Sequence, residues 1–168
     1  MSTQTSGFEE FVVARSPRLV RTAYLLTGDR DLAQDLVQTA LARTWPHWHR
    51  VRDNQPEAYI RTVMVRLQRS MWRRKWRGEV PTDVLPEPGS SAAPTDAVND
   101  RVVLAKALAL LPPGQRQIVV LRYVDDLSVE QVASIVGVAP GTVKSQSAKG
   151  LARLRVALST PVPVEERT

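Results

Sequence analysis

Hydrophobic positions recur at spacings of three and four through most of the chain, and no stretch sustains the alternate-residue pattern of a strand. Phe8, Phe11 and Val12 open one apolar stripe, and Pro17 predicts the start of a second helix carrying Leu19, Val20, Ala23 and Tyr24. Gly28 and Asp29 punctuate the chain. The run DLAQDLVQTALARTW then predicts a helix capped by Asp29 or Asp31, with Leu32, Leu36 and Ala40 facing inward and Val37 and Leu41 as further inward candidates. Pro46 ends it. The polar stretch HRVRDNQPEA leads to another helix, whose Ile60, Val63, Met64, Leu67 and Met71 share one face. Further on, a helix over about residues 100–111 stops at Pro112-Pro113. Another is expected over 114–123, and two short helices follow, separated by GVAP.

One segment breaks this pattern. EVPTDVLPEPGSSAAPTD, residues 79–96, holds Pro81, Pro86, Pro88 and Pro94, and its charges Glu79, Asp83, Glu87 and Asp96 are all acidic. Proline denies it a helix, and it has too few large apolar side chains to pack a core. The expected architecture is therefore all-α, with two small helical domains over 7–77 and 98–160 joined by a Pro-rich acidic linker over 78–97.

The 168 residues carry a formal charge of +6, which favours a polyanionic partner. Cysteine is absent, so disulfides, thiolate metal sites and Cys nucleophiles are excluded. His47 and His49 stand two apart, on different faces of a helix, and do not make a metal site. MSTQTSGFEE has neither the basic start nor the apolar core of a signal peptide. No run approaches the roughly twenty apolar residues that span a bilayer. A cytoplasmic protein without membrane insertion is expected. No phosphate loop, metal-ligand spacing or Ser/His/Asp arrangement marks an enzyme, and no cofactor is implied.

The strongest local signal is LSVEQVASIVGVAPGTVKSQSAKGLARLR, residues 127–155. Ser128 and Gln131 have the spacing of a capping box, and Val132, Ile135 and Val136 form one apolar face. Gly137 stands where a left-handed helix end belongs, and Val138 can plug the corner. Pro140 opens a second helix that buries Val143, Leu151 and Leu154. This is helix-turn-helix spacing. The second helix offers Thr142, Lys144, Ser145, Gln146, Lys149, Arg153 and Arg155 outward. Gln and Lys can reach base edges in the major groove, while Lys and Arg hold phosphate. Between Ser128 and Thr160 only Glu130 is negative, so duplex DNA is the favoured ligand over a merely solvated basic face.

A second signal lies over residues 59–77, where Arg61, Arg66, Arg69, Arg73, Arg74, Lys75 and Arg77 occur with no acid among them. All four tryptophans, Trp45, Trp48, Trp72 and Trp76, lie in this helix or just before it. Each indole by itself is better read as core. The cations are read as unneutralised and aimed at an anion, and aromatic faces beside them can stack on unpaired bases. The helix containing Asp31, Gln34, Asp35 and Gln38 reads, from its residues alone, as a plain amphipathic surface helix.

In combination, DRDLAQDLVQTALARTW, PEAYIRTVMVRLQRSMWRRKWR, LPPGQRQIVVLRYVDDLS and GVAPGTVKSQSAKGLARLR resemble an extracytoplasmic-function (ECF) sigma factor, most similar to the SigE family of actinobacteria. The resemblance spans about residues 8–156. It implies a non-enzymatic factor that binds core RNA polymerase and directs promoter-specific initiation, with region 2 in the first module and region 4 in the second. By position, Asp31, Gln34, Asp35 and Gln38 fall on the helix that docks the β′ clamp. Trp48, Arg52, Asn54, Tyr59, Arg61, Arg66 and Arg69 fall where unpaired bases of the minus-ten element are captured. Thr142, Lys144, Ser145, Gln146, Lys149 and Arg153 fall on the helix reading the minus-thirty-five element, and region 4 of the family also meets the β flap. The family also makes an anti-sigma factor a candidate partner. Where relatives place further basic residues, this chain has Gln146-Ser147-Ala148, so fewer phosphate contacts are expected there. The competing readings are a one-component regulator and a nucleic-acid-processing enzyme; the first leaves the arginine-rich helix unexplained and the second lacks a catalytic constellation.

The same resemblance gives the acidic linker the expected role of an RNA mimic in a basic polymerase channel. Reversing the charges of Glu79, Asp83, Glu87 and Asp96 should leave promoter binding intact and alter early RNA synthesis. The measurement is the yield of abortive transcripts, and an unchanged yield would remove the idea.

Overall fold

The computed structural model describes residues 2–76 and 96–159, with side chains over 7–74 and 99–159. The linker expected over 78–97 and the cations Lys75 and Arg77 lie outside these side chains, as does Trp76. Every regular element among the described residues is helical: α1 (Ser2–Thr27), α2 (Arg30–Thr44), α3 (Trp48–Val51), α4 (Pro56–Trp76), α5 (Asp96–Ala109), α6 (Pro113–Val119), α7 (Val129–Val136) and α8 (Pro140–Ser159). A short 3-10 turn, Trp45–His47, joins α2 to α3, and a widened π-type turn, Val120–Val124, extends α6.

The first helix differs from expectation. It runs unbroken through Pro17 instead of restarting there. Proline removes one backbone N–H and crowds the preceding turn. Here Phe11 and Val12 before it and Leu19, Val20 and Ala23 after it pack on one core, which holds both halves in a single helix. Val13, 78% exposed, marks the opposite face.

Local signals set the other boundaries. Gly28 adopts φ +73, ending α1, and the Asp29 carboxylate accepts from the Leu32 N–H at 2.8 Å to start α2. Ser128 accepts from the Gln131 N–H at 3.1 Å, while the Ser128 N–H donates to the Gln131 side chain at 2.8 Å, completing the capping box. Gly137, at φ +76, closes α7 in the left-handed region. In α2 the buried set is Ala33, Leu36, Val37, Ala40, Leu41 and Thr44. Leu32 was expected inward but is 38% exposed, and Met71 on α4 is likewise exposed. The stripes are rotated slightly from their sequence estimate.

Two apolar clusters form, and neither belongs to one module alone. The larger combines Leu19, Leu26, Leu36, Ile60 and Met64 with Ala105, Leu108, Leu111, Val119 and Val120. The smaller inserts Val65 of α4 among Ile118, Leu121, Val132, Ile135, Val136 and Val143. The two segments expected as separate modules therefore pack directly against each other, α1 on α5 and α4 on α7.

Within the second module α6 crosses α8 so closely that a Cβ at Gly150 would lie 2.6 Å from Val119 Cγ2 and 3.6 Å from Gln115 Cβ. Gly150→Ala should therefore destabilise the fold by about 1–3 kcal/mol through overpacking. Thermal denaturation should show a melting temperature lowered by about 2–4 °C per kcal/mol.

Candidate nucleic-acid interface

The helix-turn-helix is assembled as its sequence requires. The buried Val132, Ala133, Ile135 and Val136 of α7 face Val143 of α8, and Val138 packs against them at the corner. This seating fixes the roll of α8. Thr142, Lys144, Ser145, Lys149 and Arg153 are exposed and Gln146 is half-buried. Leu151 and Leu154 on the inner side are half-buried. Arg153 is held by a 2.9 Å bond to the Gln115 side chain, so it is oriented within the module as well as exposed. Open solvent reaches the first turns of α8, where helix N–H groups and lysines can meet phosphate.

The α2 helix presents Asp31, Gln34, Asp35 and Gln38 on one exposed side, beside Leu32.

The region around α3 and α4 departs furthest from the sequence reading. Trp48 had been placed among the strand-capturing residues, yet it is 5% exposed and packs in a T-shaped contact on Phe8 at 5.2 Å and against Phe11 at the same distance. It is core, and its ring faces are not free to stack on a base. Trp45, which is exposed, covers Phe8 at 4.9 Å. Arg52, Asn54, Tyr59 and Arg66 are exposed, with Arg52 3.4 Å from Asp53.

Arg61 and Arg69 are not free cations. Arg61 is 5% exposed, its Nε donates to Asp125 Oδ2 at 2.9 Å and its Nη2 to Glu57 Oε2 at 3.1 Å. Glu57 also pairs with Arg15 at 2.9 Å, and the Thr22 hydroxyl donates to Asp125 Oδ1 at 2.7 Å. The result is a chain of alternating charges that runs from exposed Arg15 through half-buried Glu57 to buried Arg61 and Asp125, joining α1, α4 and the turn after α6. Arg69 donates to the Val136 carbonyl at the end of α7 and, at 3.4 Å, to Gln117. Burial, aided by nearby Arg73, lowers its pKa from the ordinary arginine value. Arg116 reaches back to the Leu25 carbonyl at 2.8 Å, and burial pushes its pKa down to about 10. The expectation of an unneutralised cationic face thus fails for Arg61, which Glu57 and Asp125 neutralise, while Arg69 keeps its charge but spends its donors on a carbonyl and an amide of the second module.

Asp125, Thr22, Glu57 and the Gln68–Gln117 pair, bonded at 3.0 Å, were not singled out from sequence. The i,i+4 spacing of Glu57 and Arg61 was a visible signal for one pair; the Asp125-Asp126 doublet was a weaker one, because its partner lies 64 positions away. A cleft of about 360 Å³ opens at this seam, lined by Phe11, Arg15, Gln55, Glu57, Arg61 and Leu127, among others. Among the described residues no cluster of His, Cys, Asp or Glu could hold a metal, and no helix is long and apolar enough to cross a membrane.

Comparison with known proteins places these surfaces in a family. Residues 11–78 match sigma-70 region 2, and residues 101–154 match sigma-70 region 4. The chain is 44% identical over 149 residues to an RNA polymerase sigma-E factor of Streptomyces coelicolor, covering 88% of this chain and 84% of that protein. It is 33% identical to the ECF RNA polymerase sigma factor SigL of Mycobacterium tuberculosis, over 83% and 82% of the two chains. The chain belongs to the ECF family of RNA polymerase sigma factors. As such it directs promoter-dependent initiation of transcription by RNA polymerase. Its structure is similar to that of the sigma factor RpoE from Bartonella quintana in complex with the anti-sigma factor NepR, at a TM-score of 0.72 and 25% identity, covering 92% of this chain and 98% of that one.

Because Trp48 is core, its loss is a matter of stability first. Trp48→Ala should cost about 3–5 kcal/mol in chemical denaturation. Trp45→Ala should cost much less. Equal effects would return Trp48 to the list of exposed platforms.

Proposed function

We propose that this sigma factor works by recruitment followed by strand capture, with three surfaces in separate roles. The exposed side of α2, with Asp31, Gln34, Asp35 and Gln38, docks the β′ clamp of core RNA polymerase, and the second module meets the β flap. Thr142, Lys144, Ser145, Gln146, Lys149 and Arg153 of α8 read the minus-thirty-five element in the major groove. Arg52, Asn54, Tyr59 and Arg66, joined by Arg61 and Arg69 when their present partners are exchanged, hold unpaired bases and phosphates of the minus-ten element. The observation that supports the reading most is the seating of α8: its apolar side is buried on α7 while its polar and basic side faces solvent.

Promoter opening then follows from differential binding. A surface that binds the separated strand better than the duplex shifts the equilibrium toward the open form without nucleotide hydrolysis by this chain. The complex formed by the Bartonella relative makes an anti-sigma protein a proposed partner here as well.

The test is reconstitution. Mixed with core RNA polymerase, the chain should give promoter-specific transcripts without another sigma factor, whereas a regulator of the one-component kind would not. Within that assay Arg66→Ala, which changes an exposed cation, should slow open-complex formation about tenfold and leave polymerase association unchanged. Equal loss of both would refute the division of roles.

A further inference from the structure

Arg153 is anchored without being neutralised. Its Nη1 donates to Gln115 Oε1 at 2.9 Å, and Gln115, on α6, is only 7% exposed. An amide oxygen is a neutral acceptor, and among the described residues no carboxylate forms an ion pair with Arg153. One guanidinium N–H is spent in this way, while the other donors and the positive charge are kept. The packing beside it makes the contact possible. Gly150 stands one turn before Arg153, and a Cβ there would lie 3.6 Å from Gln115 Cβ. Its absence lets α8 run close enough to α6 for the amide to reach the arginine. Thr142, Gln146, Lys149 and Arg153 follow one another at steps of four, three and four, so they form one line along α8. Gln115 therefore fixes the cation at the far end of that line.

We propose that Gln115 is a positioning residue for promoter binding, which holds the Arg153 guanidinium ready for a backbone phosphate of the duplex. This rests on the assignment of α8 to the minus-thirty-five element and deepens it. A long side chain on a helix surface gives up rotamer freedom when it engages an anion, and that loss opposes binding. A guanidinium already tethered by one N–H has given up part of the freedom on folding, so less is lost when phosphate arrives. The device matters in this chain because Gln146, Ser147 and Ala148 separate Lys144 from Lys149, which leaves α8 few cations to share the phosphate attraction. A neutral acceptor is what such a tether requires. A carboxylate in the place of the amide would hold Arg153 more tightly, but it would compete with phosphate for the same charge. Gln115 thus acts only through Arg153, and its effect disappears when Arg153 is removed.

The test uses the full chain bound to core RNA polymerase and a labelled promoter duplex taken from the reconstituted transcription assay, with binding measured over a range of salt. Gln115→Met keeps the side-chain length and removes the acceptor. It should weaken binding about fivefold and leave the salt dependence unchanged, because Arg153 still reaches its phosphate. Gln115→Glu should weaken binding at least as much and, like Arg153→Ala, reduce the slope of log affinity against log salt by about 0.9. In an Arg153→Ala background Gln115→Met should have no further effect. Circular dichroism and thermal melting report whether each variant is folded, and Gln115→Asn, whose shorter amide falls back from Arg153, serves if the methionine variant is not. Losses that add in the double variant overturn the proposal, as does unchanged or tighter binding by folded Gln115 variants when Arg153→Ala weakens it; both results leave the assignment of α8 standing. Arg153→Ala without effect overturns the proposal together with the placing of Arg153 on the DNA-reading surface.

Discussion

A guanidinium is carried into a protein interior only where its charge and its donors find acceptors, because it loses the water that would otherwise solvate it. Arg61 is in that situation, and its two carboxylates come from different places. Glu57 lies one turn away on the same helix, while Asp125 arrives from a turn in the other half of the chain. The requirement for that second carboxylate fixes where the turn after α6 can sit. With it are fixed the approach of α7 to α4, the placing of Val65 among the apolar residues of the helix-turn-helix, and the reach of Arg116 to the end of α1.

The same requirement divides the positive charge of this sigma factor into two kinds. On α8 the lysines point to solvent, because Val132, Ile135, Val136 and Val143 bury the opposite side. They are available to a duplex in the arrangement described. On α4, Arg66 is available in the same way, but Arg61 and Arg69 are engaged by groups of the second module. One helix can hold both kinds because Arg66 stands five residues from Arg61, well round the helix from the side that meets the second module.

The packing exposes these surfaces to different degrees. The polar side of α2 and the basic side of α8 lie on the outside of the folded chain, whereas part of the cationic side of α4 lies along the seam.

Several features were legible in the sequence because their causes are local. The Ser128–Gln131 capping box, the left-handed Gly137, the Asp29 cap and the apolar side of α7 each depend on residues within one or two turns, and all stand as the pattern indicates. The exposure of Thr142, Lys144, Ser145 and Lys149 followed from the same short-range periodicity. What only tertiary structure decided depends on neighbours that spacing cannot reveal. Pro17 stays within one helix because the residues on both sides of it share a core. Trp48 is buried because Phe8 and Phe11 fold over it, and Val65 leaves its own module for the other. Arg61 has Glu57 one turn before it, but nothing in the sequence shows that it is buried until a second carboxylate, 64 residues away, is brought to 2.9 Å. A sequence carries the charge of a side chain, but whether that charge faces water, phosphate or another residue depends on long-range contacts formed only when the chain is folded.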